Sequence, residues 1–411
     1  MDGDCVFDAL DNELWGLVLT HLDGGVALPV FPLVCKKWRV AIDAHRRPRE
    51  TTASEKGTRG DSGRAYTMAL IERGMANLVV WAHAHGARFP DDATSIAATV
   101  GDLDLVRWLC ANGCPWDEDT CSYAAKGGHF EVLRWAKDNG CPWGGDTCHR
   151  AAKGGHLEVL QWARANGCPW NEMTCSHAAR SGHLAVLQWA RKNGCPWDED
   201  TCIHAAENGH LAVLAWAREN GCPWGELTCA GAAKGGHLEV LQWARANGCP
   251  WDERVCTRAA GSGHLDVLKW VRANGCPWSE WTCIGAAKGG HLEVLKWARI
   301  NGCPWDEWVC ISAASEGHLE VLEWARASGC PWGEGVCAVA ARQGRLEVLE
   351  WAVANGCPWD ERVCSHAAQR GHLNVIEWAH AGGRTWNRGD CEREALEHGH
   401  PDVVRWVRSI V

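Results

Sequence analysis

Thr147-Cys148-His149-Arg150-Ala151-Ala152-Lys153-Gly154-Gly155-His156-Leu157-Glu158-Val159-Leu160-Gln161-Trp162-Ala163-Arg164-Ala165-Asn166-Gly167-Cys168-Pro169-Trp170 is one copy of a pattern that fills most of the chain. Its tail, Gly-Cys-Pro-Trp, occurs ten times from Gly113 to Trp359, each copy 27 residues after the last. A fixed period of that size implies a stacked array of one small unit, not a single globular core.

Within the unit, Thr147 suits the cap of a first short helix, because its hydroxyl can accept from an otherwise unpaired amide. Gly154-Gly155 ends that helix. In a second helix Leu157, Leu160 and Ala163 form one apolar stripe, and Val159 and Trp162 form another beside it. Glu158, Gln161 and Arg164 take the remaining face. An apolar surface that wide needs neighbours on both sides. Asn166-Gly167 supplies a left-handed helix end, and Pro169 prevents continuation. The expected class is all-α, a helical solenoid of about twelve short repeats.

Composition follows the same columns. Of 28 Trp in 411 residues, one column runs at 27-residue steps from Trp81 to Trp378 and another from Trp116 to Trp386. Only Trp15, Trp38, Trp281 and Trp308 lie outside both, with Trp406 one residue out of step. Burial of both columns is expected to supply a large apolar term at every contact between units. The 24 Cys behave alike, one column from Cys114 to Cys357 and another from Cys121 to Cys391.

The start, Met1-Asp2-Gly3-Asp4-Cys5, lacks a basic stretch ahead of an apolar one, and no apolar run suffices to span a bilayer. Free thiols in a reducing cytoplasm or nucleus are therefore expected. A net charge of −10 argues against general nucleic-acid binding.

Four segments separate on composition. Residues 1–45 are apolar and non-repetitive, 46–65 read as a flexible polar linker, 66–389 hold the repeats, and 390–411 read as a truncated capping repeat.

The string Ala232-Ala233-Lys234-Gly235-Gly236-His237-Leu238-Glu239-Val240 resembles the middle of an ankyrin repeat, and the resemblance extends over roughly 66–411. Ankyrin units run to about 33 residues, so the units here are shorter, and the missing residues fall where that family carries a β-hairpin. Helix pairs with tight connectors and reduced or absent hairpins are expected. On this alignment Cys148 falls at a core Leu position and Cys168 at a core Ala position, so both columns read as packing residues. A zinc array built on Cys114, Cys121 and His129 is the rival reading. It lacks the closely spaced Cys pair common in structural zinc sites, and neither metal nor cofactor is expected. The His column from His129 to His318 reads as a turn hydrogen-bond donor, since Arg345 replaces it once. No catalytic constellation stands out from the repeats, and an enzyme is not expected.

Leu10-Asp11-Asn12-Glu13-Leu14-Trp15, Val18-Leu19, Leu22-Asp23 and Leu33-Val34-Cys35-Lys36-Lys37-Trp38-Arg39 resemble an F-box, with Asp11 in place of the usual Pro, and Pro29 and Pro32 interrupting a helical region. The resemblance implies docking onto the Skp-family adaptor of cullin-RING ubiquitin ligases through Leu10, Leu14, Val18, Leu22, Val34, Cys35 and Trp38. An F-box joined to short Trp-rich ankyrin units is also similar to the repeat families of large DNA viruses of protists, which implies action inside an infected host cell.

The function expected from these readings is substrate recognition for such a ligase, with a non-degradative binding scaffold or competitor as the alternative. Target contacts are expected at the variable connector position that holds Met173, Leu227, Arg254, Trp281 and Trp308. Repeated residues hold the stack, while this position is free of it, and exposed Trp with Arg has the composition of a hot spot.

Overall fold

The computed structural model of the protein describes residues 67–84 and 87–410. The candidate adaptor residues Leu10, Leu14, Val18, Leu22, Val34, Cys35 and Trp38 lie outside the described residues. All regular structure among the described residues is helical. None of their helices is long and apolar enough to cross a membrane.

Each repeat folds as two short antiparallel helices. In the copy quoted above these are Gly145–Gly154 and Leu157–Ala165. Gly155, at φ 78°, ends the first, and Gly167, at φ 82°, turns the chain out of the second. Both angles fall in the left-handed region that only glycine adopts cheaply. Asn166 tightens the second end, its side-chain amide donating to the Trp162 carbonyl at 2.9 Å. The connector then runs through Cys168-Pro169-Trp170 to the helix Glu172–Arg180, with no strand between. The expected loss of the hairpin is thus observed among the described residues.

Thr147 is not the cap. The first helix begins two residues earlier, with Gly144 capping it from an extended backbone. At several copies a polar side chain at this position caps the helix, whereas Asp198 and Ser279 make no such bond. Asp117, Asn171, Asp252 and Asp306 each accept the backbone N–H two residues on, at 3.0–3.1 Å. The threonine lies one turn in, fully buried. Only in the Glu118–Gly127 helix does it reach back, Thr120 accepting the Asp117 N–H at 3.4 Å.

The chain divides into two compact units. One holds the described residues up to Ala178 with Ala185–Pro196, and the other Ala179–Leu184 with Trp197–Val411. In the first, helices Ala93–Val100, Glu118–Gly127 and Gly145–Gly154 pack successively on one another. In the second, first helices pack in sequence from Glu199–Glu207 to Arg388–Glu397. Second helices rest mainly on the first helix of their own repeat.

The core is smaller-grained than the Trp content suggests. Val159, Leu160 and Ala163 are buried, as are Cys148, Ala151, Ala152 and Cys168, and the same columns repeat along both units. The two Trp columns are only half-buried, which corrects the expectation that they supply the buried bulk. Each connector indole meets the second-helix indole of the next repeat, as in Trp143–Trp162 at 5.6 Å and Trp224–Trp243 at 5.9 Å. An arginine covers the other side: Arg164 stands 4.4 Å from the Trp170 ring and donates to the Cys168 carbonyl at 2.6 Å. An indole is too large and too polar at its N–H to sink fully between nine-residue helices, and the guanidinium is attracted by its π face.

Candidate binding face

The residues expected at the variable connector position occupy instead the second position of each first helix: Met173 in Glu172–Arg180, Leu227 in Glu226–Lys234, Arg254 in Glu253–Gly261, Trp281 in Glu280–Lys288 and Trp308 in Glu307–Glu316. The helix starts earlier than Thr147 implied, so the position moves from connector to first turn. It still faces outward. Trp281 is 56% exposed and Trp308 54%, each on a helix that packs against the other. Met173 is exposed in the other unit, and Leu227 is half-buried. Among the described residues no ring packs on Trp281 or Trp308, whereas Trp278 and Trp305 beside them are held by Trp297 and Trp324 at 6.0 and 5.9 Å.

A glutamate precedes each member of the row in unit two: Glu226, Glu253, Glu280 and Glu307. A carboxylate in the first helical turn is favoured by the positive end of the helix dipole. Arg254 spends its charge locally, its Nε 2.7 Å from Asp252. Arg362, in the same register further on, pairs with Asp360 at 2.6 Å and holds that carboxyl down at about 2. The surface around Trp281 and Trp308 is thus two open indoles bordered by carboxylates.

The cysteines stay in the core. Among the described residues all are free thiols, and all but Cys110 and Cys114 are buried. They lie in pairs 20 residues apart, such as Cys148 with Cys168, and the connector thiol also donates to a backbone carbonyl, Cys168 to Gly144 at 3.3 Å. The thiol–thiol bond and burial push Cys148 up, while burial alone lifts Cys364 to about 12. Cys121 bonds to Cys141, and Cys114, Cys121 and His129 do not assemble as one ligand set. Ligand atoms of three residues able to hold a metal converge, among the described residues, only at Glu394, Glu397 and His398.

The histidines act as donors between repeats. His129 Nε2 lies 2.9 Å from the Thr99 carbonyl, His156 3.0 Å from Lys126 and His318 3.1 Å from Lys288. A carbonyl only accepts, so Nε2 carries the proton. Arg345 does the same work with its Nε, 3.2 Å from the Ser315 carbonyl. The asparagine and histidine devices were legible in the sequence. The Asp/Asn/Ser/Gly column after each connector Trp is the signal in the sequence that marks the helix start, ahead of the threonine.

This architecture defines a helical-repeat protein whose outward first-helix positions are free to vary. The family model for ankyrin repeats in many copies matches residues 121–164 and again 148–191. That region therefore carries the repeat of a protein-interaction fold. The solved structure of the human ASB11 ankyrin repeat domain is similar over 38% of this chain and 84% of that one, with 19% identity and a TM-score of 0.32. No curated protein matches the chain.

Proposed function

We propose that this protein binds a target protein through the first turns of its first helices and delivers it to a cullin-RING ubiquitin ligase. Residues 1–45 would dock the Skp-family adaptor, 46–65 would link, and 66–389 would capture the target with 390–411 as cap. The observation carrying the target half is the pair of exposed indoles, Trp281 and Trp308, on adjacent helices. Tryptophans this open are enriched at the energetic centres of interfaces. The adaptor half rests on the F-box resemblance of Leu10, Leu14, Val18, Leu22, Val34, Cys35 and Trp38. No chemistry by the chain itself is required, because holding a target beside a transferase raises its effective concentration.

The test is affinity capture with the full chain, probing for adaptor, cullin and target. Deletion of 1–45 or Trp38→Ala abolishes adaptor and cullin recovery. Trp281→Ala with Trp308→Ala weakens target capture by about 2 kcal/mol or more, with the melting temperature nearly unchanged. Adaptor still bound after deletion of 1–45 overturns the F-box reading. Target held without any cullin in the full chain makes the protein a non-degradative scaffold.

A further inference from the structure

A shallow, solvent-open cavity of about 460 Å³ lies in the second unit between helices Glu253–Gly261 and Glu280–Lys288, near their carboxyl ends. Lys234, Arg258 and Lys288 line it, and Glu316 is the acidic residue in its wall.

The space exists because side chains are missing from one helical position. That position holds Tyr123 and Arg150 in the first unit, and Gly231, Arg258 and Gly285 in successive helices of the second. Arg150 is occupied: its guanidinium lies 4.1 Å from the Tyr123 ring and 3.5 Å from Asp119. Arg258 has a glycine on either side. A Cβ at Gly285 would stand 3.0 Å from the Thr257 carbonyl and 3.5 Å from Gly261 Cα, so the two helices approach closely and leave Arg258 uncovered.

The charge of the site is positive despite its place at helix carboxyl ends. Those ends ordinarily present partial negative charge through unbonded carbonyls. Here the histidines of the following repeats take them up. His264 lies 3.1 Å from the Lys234 carbonyl, His318 3.1 Å from that of Lys288, and His291 bonds the Gly261 backbone. Lys234 is held by Glu207 at 2.6 Å. Among the described residues no carboxylate lies within ion-pair distance of Arg258 or Lys288, and both are exposed at the cavity.

We propose that this cavity binds a phosphoryl group. Its open donors are the Arg258 guanidinium fork and the Lys288 ammonium, with the Glu207-paired Lys234 beside them. A fork plus an ammonium match the oxygens and double charge of a phosphate monoester better than a carboxylate. The group could come as free phosphate or on a phosphorylated residue of a partner protein, and the volume has room for the latter. The proposal stands independently of the Trp281 and Trp308 surface.

The test titrates the full-length protein, at low salt, with inorganic phosphate and with a short peptide carrying one phosphoserine, beside its unphosphorylated form. The phosphopeptide is expected to bind at least about tenfold more tightly than the unphosphorylated peptide. Phosphate should compete for the site, and raised salt should weaken it. Arg258→Gln with Lys288→Gln removes the preference, and Glu316→Gln strengthens it, while helical circular dichroism is unchanged in both. Lys153→Gln in the first unit has no effect. Binding of phosphate without preference for the phosphopeptide supports the site and identifies free phosphate as its source. Equal affinity in the Arg258→Gln, Lys288→Gln variant, or binding of neither probe by the native chain, overturns the proposal.

Discussion

Thr228 shows how finely the core is set at single positions. It is fully buried, and its hydroxyl has no hydrogen-bond partner. The same column holds Val255, Val309, Val336 and Val363, all fully buried. A buried hydroxyl without a partner costs about 1–3 kcal/mol, so a methyl in its place should help. Thr228→Val is expected to raise the melting temperature in a thermal scan. Thr120→Val is expected to lower it, because Thr120 accepts the Asp117 N–H and lies 3.1 Å from the Ser95 hydroxyl. Its loss should cost about 1 kcal/mol, the usual worth of a helix cap. A rise in both variants would show that the capping bond of Thr120 is not holding that helix start. The threonine column imitates a helix start two residues inside the real one. Thr, Asp, Asn and Ser all serve as caps, and Thr147 comes three residues after Gly144, a poorer capping signal. Asp117, Asn171, Asp252 and Asp306, aligned down the column before it, carry the stronger signal and make the cap bonds.

Between elements, the histidine column ties each second-helix start to the preceding repeat, and it makes the fold sensitive to acid. Burial, opposed by their bonds to backbone, holds His237, His291 and His372 below the ordinary value of 6.5. The unfolded chain therefore binds more protons than the folded one as pH falls through about 6.5. Stability present above that value is lost below it, so the melting temperature should fall between pH 7.5 and pH 5. His237→Arg with His291→Arg and His372→Arg copies the native Arg345, which donates to the Ser315 carbonyl, and replaces the imidazoles with a side-chain type that stays charged in proteins. Thermal scans of that variant should show a flatter pH profile than the native chain. An unchanged profile would place the acid sensitivity in other groups. The donor role of this column was legible because Arg345 breaks it, and Arg can donate where it cannot ligate. The half-burial of the Trp columns was not legible, because periodicity places a residue on a face without fixing its depth. The cation lying over most connector indoles, as Arg272 over Trp278 at 4.0 Å or Lys137 over Trp143 at 4.3 Å, arises from a contact that the repeat pattern places but does not orient.

For the whole molecule, the period carried the all-helical repeat fold, while the outward surface depended on which residues break the period. Trp281, Trp308, Gly231 and Gly285 are such departures, and each changes what the array shows to solvent. The sequence marked the indoles but not the cavity, since a missing side chain matters only once helix spacing is known. The cysteines are the opposite case, a regular feature with its chemistry sealed inside. A thiol must be reached before it can react, and every described cysteine except Cys110 and Cys114 is buried. Burial also lifts Cys391 to about 12, while within a pair the thiol–thiol bond pushes one member up and the other down, as for Cys148 and Cys168. Brief alkylation of the native protein, read by peptide mass spectrometry, should therefore label Cys110 and Cys114 ahead of every other described cysteine. The paired columns, from Cys121 with Cys141 to Cys337 with Cys357, should become reactive together only as the repeats unfold. Purified from zinc-containing reducing medium, the protein should carry less than about one zinc, since no pair offers the four ligands a structural site needs. Zinc near one per repeat, with the columns protected by metal and released by chelator, would overturn the assignment of these thiols to packing.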